Sequence, residues 1–119
     1  MVQRLGILIA GGSGRRFGGS KALAAFRDRT LVERAHDVLA AVCDEVVVVA
    51  PADLPLPVPG NQRVADAIEG EGPLSALVAG LEARDHVRAL VLAVDLPLFD
   101  RACARRLLDA ARDEIALVP

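Results

Sequence analysis

The run Leu5-Gly6-Ile7-Leu8-Ile9-Ala10 passes without a break into Gly11-Gly12-Ser13-Gly14-Arg15-Arg16-Phe17-Gly18-Gly19-Ser20-Lys21. The first six residues are apolar on both faces that a strand presents, the pattern of a strand buried on both sides in a parallel sheet. The next eleven follow neither a strand nor a helix period, and hold five glycines with the fixed cations Arg15, Arg16 and Lys21. Glycines at this density let backbone amides converge on an anion without interference from Cβ atoms. A buried strand ending in such a loop predicts an α/β sheet whose ligand site lies beyond the carboxyl ends of its strands.

The rest of the chain repeats the alternation. Glu45-Val46-Val47-Val48-Val49-Ala50 and Ala89-Leu90-Val91-Leu92-Ala93-Val94 are further buried-strand runs, with Arg63-Val64-Ala65 and Ile115-Ala116-Leu117-Val118 as weaker ones. Between them lie helical stretches. Leu31, Ala35, Val38, Leu39 and Val42 form one stripe, opened by Thr30 with Glu33 three residues on, a capping box. Pro73 suits the first position of a helix whose expected inner face is Leu74, Leu77, Val78 and Leu81. Asp100 is placed to cap a last helix carrying Cys103, Leu107, Leu108 and Ala111. The order predicts a three-layer α/β/α, Rossmann-like fold: a mostly parallel sheet with helices on both faces. The segment from Pro51 to Asn61, with four prolines, is the other stretch without a period.

The 119 residues suit one domain with one core. With three Phe and neither Trp nor Tyr, the chain lacks the stacking surfaces of single-stranded nucleic-acid modules. A net charge of −2 provides no basic field for a polyanion, so phosphate binding must be local, and no nucleic-acid partner is expected. No apolar run approaches the ~20 residues that span a bilayer, and no signal-type leader is read, so a cytoplasmic protein with no membrane partner is expected.

Two familiar phosphate loops fail on spacing. Gly14 and Gly19 are spaced as in a P-loop, but Ser20 stands where its lysine is needed. Gly12-Ser13-Gly14 begins a dinucleotide fingerprint, but Phe17 replaces the third glycine. A solvated turn is the plain alternative; placement directly after the first strand favours a phosphate site. Val94-Asp95-Leu96-Pro97 puts a carboxylate at the end of a buried strand, suited to a hard cation between phosphate oxygens, although Asp-x-Pro alone also marks an ordinary turn.

Ile9-Ala10-Gly11-Gly12, Arg16-Phe17-Gly18-Gly19 and Lys21-Ala22-Leu23 together resemble the signature of nucleotidyltransferases similar to molybdenum cofactor guanylyltransferase. Two later blocks agree with it in order: Asp66 followed by Gly72-Pro73-Leu74-Ser75-Ala76, and Val94-Asp95-Leu96-Pro97. The resemblance implies nucleotidyl transfer, with an acceptor phosphate attacking the α-phosphorus of a nucleoside triphosphate and pyrophosphate leaving. It implies catalytic roles for Arg16, Lys21 and Asp95, with Asp95 as Mg²⁺ ligand. It also implies nucleotide contacts from Ile9, Ala10, Gly11, Gly12, Gly14, Lys21, Asp66 and Asp95. The implied partners are GTP, or another nucleoside triphosphate, and a molybdopterin-type phosphate acceptor. Ala10-Gly11-Gly12 favours GTP, since the cytidylyl relatives tend to read Ala-Ala-Gly.

Three departures stand out: a spacer residue before the lysine is missing, Val94 replaces a cysteine, and Val48-Val49-Ala50-Pro51 lacks the asparagine common near the end of the second strand. The resemblance further implies that residues 1–119 are the N-terminal nucleotide-binding domain, truncated at its C-terminus relative to the family. Alternatives are a cytidylyl- or sugar-phosphate nucleotidyltransferase, or a nucleotide-binding module without catalysis; monomer and homo-oligomer both remain open. Cys43 and Cys103 are read as small core residues on helices. His36 and His86 are read as surface residues, the latter in a polar turn, and Arg105 with Asp109 as part of a solvated helix face.

Overall fold

The computed structural model describes residues 1–10, 25–26, 29–50, 62–65, 73–93 and 100–110. In chain order these form β1 (Val2–Ile9), β2 (Ala25–Phe26), β3 (Arg29–Thr30), α1 (Leu31–Val42), β4 (Glu45–Ala50), β5 (Arg63–Ala65), α2 (Pro73–Ala83), β6 (His86–Ala93) and α3 (Arg101–Ala110). The main sheet is parallel, in the order β5-β4-β1-β6. Beside it, β2 and β3 make a two-residue antiparallel pairing. Pairings that short have no readable period, and neither was expected.

Each face of the sheet has its own core. On one face Leu8, Val46, Val48, Leu90 and Leu92 pack under α1 and α3, which contribute Val32, Leu39, Ala104 and Leu108. On the other, Leu5, Ile7, Val47 and Val49 pack under α2 through Ala76, with Ala79 and Ala83 against them. Along β1 and β4 the alternation of side chains divides one apolar run between two cores. This is the expected α/β/α layering. Strand β6, last in the sheet order among the described residues, buries Leu90 and Leu92 on one face and leaves Val87 and Val91 exposed on the other, so the expectation of a strand buried on both sides is corrected there.

Helix α1 begins as its capping box predicts. The Thr30 hydroxyl accepts from the Glu33 amide at 3.3 Å, and the Thr30 amide donates to Glu33 Oε1 at 3.1 Å. Helix α3 begins at Asp100, whose Oδ1 accepts from the Cys103 amide at 2.9 Å. That bond is the main reason its pKa lies below the ordinary value. The carboxylate therefore supports the helix above the ordinary aspartate pKa, and the support fades as pH falls through the lowered one.

Several expectations are corrected. On α2, Val78 and Leu81 are exposed, at 45% and 38%, and the inner face is Ala76, Ala79, Gly80 and Ala83. Helix and sheet approach too closely for large side chains: a Cβ on Gly80 would lie 2.5 Å from Ile7 Cγ2. Cys103 is exposed, because Ala104 and Leu108 hold the inner face of α3. Cys43 is half-buried at the C-cap of α1, just beyond the helix. His86 opens β6, with its Nδ1 2.9 Å from the Arg84 carbonyl. Arg105 and Asp109 are exposed on α3, as the reading of a solvated helix face expects, and Asp109 also lies 3.8 Å from Arg4, across the fold, in an exposed ion pair. Ala111 and the weak strand candidate Ile115–Val118 lie outside the described residues.

Candidate functional site at the carboxyl edge of the sheet

The strands end level with one another. Ile9, the last residue of β1, is in register with Val49 of β4 and with Ala93, the last residue of β6. Ala50 and Ala65, which close β4 and β5, are also paired. The chain therefore leaves the sheet four times at one edge, after Ile9, Ala50, Ala65 and Ala93. From β1 it builds outward to β4 and β5, then returns to the far side of β1 for β6, so the strand order reverses between β1 and β6. Open α/β sheets bind ligands beyond the strand ends at such a reversal.

Two of the nucleotide-contact residues named above are described. Ile9 ends β1, half-buried against the α2-side core. Ala10 is buried, and its amide donates to the Val49 carbonyl at 3.0 Å, continuing the ladder one step past the strand. The Ala10 amide is thus taken up within the sheet, and its methyl lies in the core under α1 and α3. Arg16, Lys21, Asp66, Asp95, Gly11, Gly12 and Gly14 lie outside the described residues. Along the chain, Gly11 and Asp95 each stand two residues past the Ile9–Ala93 register pair, and Asp66 directly follows Ala65.

Contacts at the opposite edge are built for support. The Arg84 guanidinium bonds Glu45 at 2.8 Å, and its Nη1 donates to the Ala83 carbonyl, pinning the turn after α2 to the start of β4. The Arg4 amide donates to Asp44 Oδ2, and the Asp44 amide donates to the Arg4 carbonyl, both at 2.9 Å. Among the described residues no group of three His, Cys, Asp or Glu side chains is assembled for a metal.

One polar contact has no precedent in the sequence pattern. His36, on α1, is half-buried with Nε2 2.7 Å from Oε1 of Gln62, the residue before β5. The two are 26 positions apart. No local spacing signals such a pair, which exists only because α1 packs over β1 and β4 and β5 pairs with β4.

A model of the MobA-like NTP transferase domain matches residues 6–119. The molybdenum cofactor guanylyltransferase of Desulfosudis oleivorans is 36% identical over 116 residues, which cover 95% of this chain and 56% of that protein. A probable molybdenum cofactor guanylyltransferase of Mycobacterium avium is 41% identical over 102 residues, covering 82% of this chain and 52% of that one. Among solved structures, a hypothetical transferase from Thermus thermophilus superposes with a TM-score of 0.74 at 32% identity, over 93% of this chain and 48% of its own. The chain thus spans about half the length of these relatives. A match that runs from within β1 through to the final residue concerns the whole α/β framework and not one motif, and the chain belongs to the MobA-like NTP transferase family.

Proposed function

We propose that this chain is the nucleotide-binding part of a nucleotidyltransferase that moves GMP from GTP to the phosphate of a molybdopterin-type acceptor, releasing pyrophosphate. The observation that carries this reading is the level carboxyl edge: the glycine loop and Asp95 follow adjacent strands, β1 and β6, at the reversal of strand order. The names of the guanylyltransferase relatives support the choice of nucleotide and acceptor. The lack of an asparagine near the end of β4 leaves a nucleotide contact made there to other residues.

In this reading Gly11, Gly12 and Gly14 present amides to the triphosphate, with Ile9 and Ala10 at the strand end beside the base. Arg16 and Lys21 neutralise the charge that passes to pyrophosphate. In-line displacement at phosphorus depends chiefly on positioning and on stabilising charge, and needs no protein nucleophile. Asp95 would hold Mg²⁺ and Asp66 would contact the nucleotide. Carboxylate and phosphate oxygens are the hard donors that this cation takes. Mg²⁺, when bound, supplies charge neutralisation at the phosphates. The reading assigns the protein to the cytoplasm; no helix among the described residues is long and apolar enough to cross a membrane.

The test is acceptor-dependent release of pyrophosphate from Mg·GTP, with Lys21→Ala and Asp95→Ala as variants. Each should lower turnover by about 10²–10³-fold, the loss that follows removal of one charge-stabilising group, with thermal stability retained. Unaltered turnover in both variants would refute the assignment. Protection from unfolding by Mg·CTP in preference to Mg·GTP would favour the cytidylyl alternative. Mg·GTP binding without acceptor-dependent release would favour a binding module.

A further inference from the structure

We infer that His36 and Gln62 form a positioning tether that sets β5, and with it the start of the segment carrying Asp66, relative to the rest of the carboxyl edge. The inference rests on the functional reading above, in which Asp66 contacts the nucleotide. Strand β5 is three residues long and, among the described residues, pairs with β4 alone. It follows a segment whose four prolines cannot donate to a sheet ladder. A strand so short, at an edge and with a proline-rich approach, is weakly held by its own backbone.

Helix α1, in contrast, is anchored. Val32, Ala35, Leu39 and Val42 are all buried in the core on that face of the sheet. His36 therefore projects from a rigid support, and its 2.7 Å contact reaches Gln62, the residue just before β5. With Gln62 Oε1 accepting, Nε2 of His36 carries the donated proton. Sites are positioned best when the supporting side chain stands on an element that packing has already locked. From Gln62 only three residues intervene before Asp66, so a shift at the start of β5 is passed on with little slack.

The variants His36→Ala and Gln62→Leu remove the contact. Gln62→Glu keeps an acceptor for the imidazole N–H. Two measurements on the full chain are needed for each: amide hydrogen exchange across residues 62–66, and the concentration of Mg·GTP that gives half-maximal protection from thermal unfolding. His36→Ala and Gln62→Leu should speed exchange in this segment and raise the Mg·GTP requirement by about 2- to 10-fold, the range spanned by one neutral hydrogen bond. The double variant should be no worse than either alone, and Gln62→Glu should stay near the parent in both measurements.

Unchanged exchange at residues 62–66 in both single variants would overturn the tether, as would an equal disturbance by Gln62→Glu, which would mean that packing and not the hydrogen bond matters. Faster exchange with an unchanged Mg·GTP requirement would overturn the positioning role. If Mg·GTP protects not even the unsubstituted chain, the functional reading fails, while the exchange measurements still decide the tether.

Discussion

Cys43 and Cys103 share a residue type and differ in every property that governs thiol chemistry. Cys43 is half-buried behind α1, and desolvation pushes its thiol up to about 11, outweighing the lowering effect of the nearby Arg4. Its thiolate is scarce at neutral pH, and the thiolate is the nucleophile. Cys103 is exposed. Iodoacetamide at pH 7.5 should therefore label Cys103 well before Cys43, read by peptide mass; comparable rates would contradict the burial of Cys43. Both residues look alike in the sequence, as small apolar positions in helical stretches. Their difference comes from a shift of one position relative to the buried face, which Ala104 sets in α3.

At the scale of the element, α1 was legible and α2 only half so. The Thr30–Glu33 box is local chemistry within four residues, and it forms as its spacing implies. Thr30→Ala should cost about 1 kcal/mol in urea unfolding, the usual loss for a hydroxyl N-cap. A change within error would mean that α1 draws its start from packing alone. For α2 the start at Pro73 was readable, but the inner face was not, because a scale of residue hydrophobicity favours Leu81 and Val78 over Gly80 and Ala76. Close approach reverses that order. Gly80 meets Ile7 and Val49 where added volume has no room. Gly80→Ala gains up to about 1 kcal/mol of helix propensity but forces a branched, stiff neighbour aside, at about 1–3 kcal/mol. The variant should be less stable than the parent in urea; a more stable one would refute so tight a packing.

For the whole molecule, support and proposed site lie at opposite edges of one sheet. The Arg84–Glu45 and Arg4–Asp44 contacts hold the amino edge. The carboxyl edge is where the glycine loop and the two aspartates follow the strands. If the functional reading is right, Mg·GTP should slow amide exchange in peptides spanning residues 9–12, 64–67 and 93–96, and leave residues 4–6 and 43–46 unchanged. Protection confined to the amino edge would refute it.

By itself the sequence determined the class of fold, the parallel character of the main sheet, the start of each helix and the order of the family's motifs. These depend on side-chain period, capping and turn chemistry, all of which act over a few neighbouring residues. Only the tertiary structure decided which side of α2 meets the sheet, which cysteine is shielded, that Asp109 lies near Arg4, and that His36 reaches Gln62. Each of those depends on how closely two distant elements approach, a distance set by the packed volume of both faces and carried by no single stretch of chain.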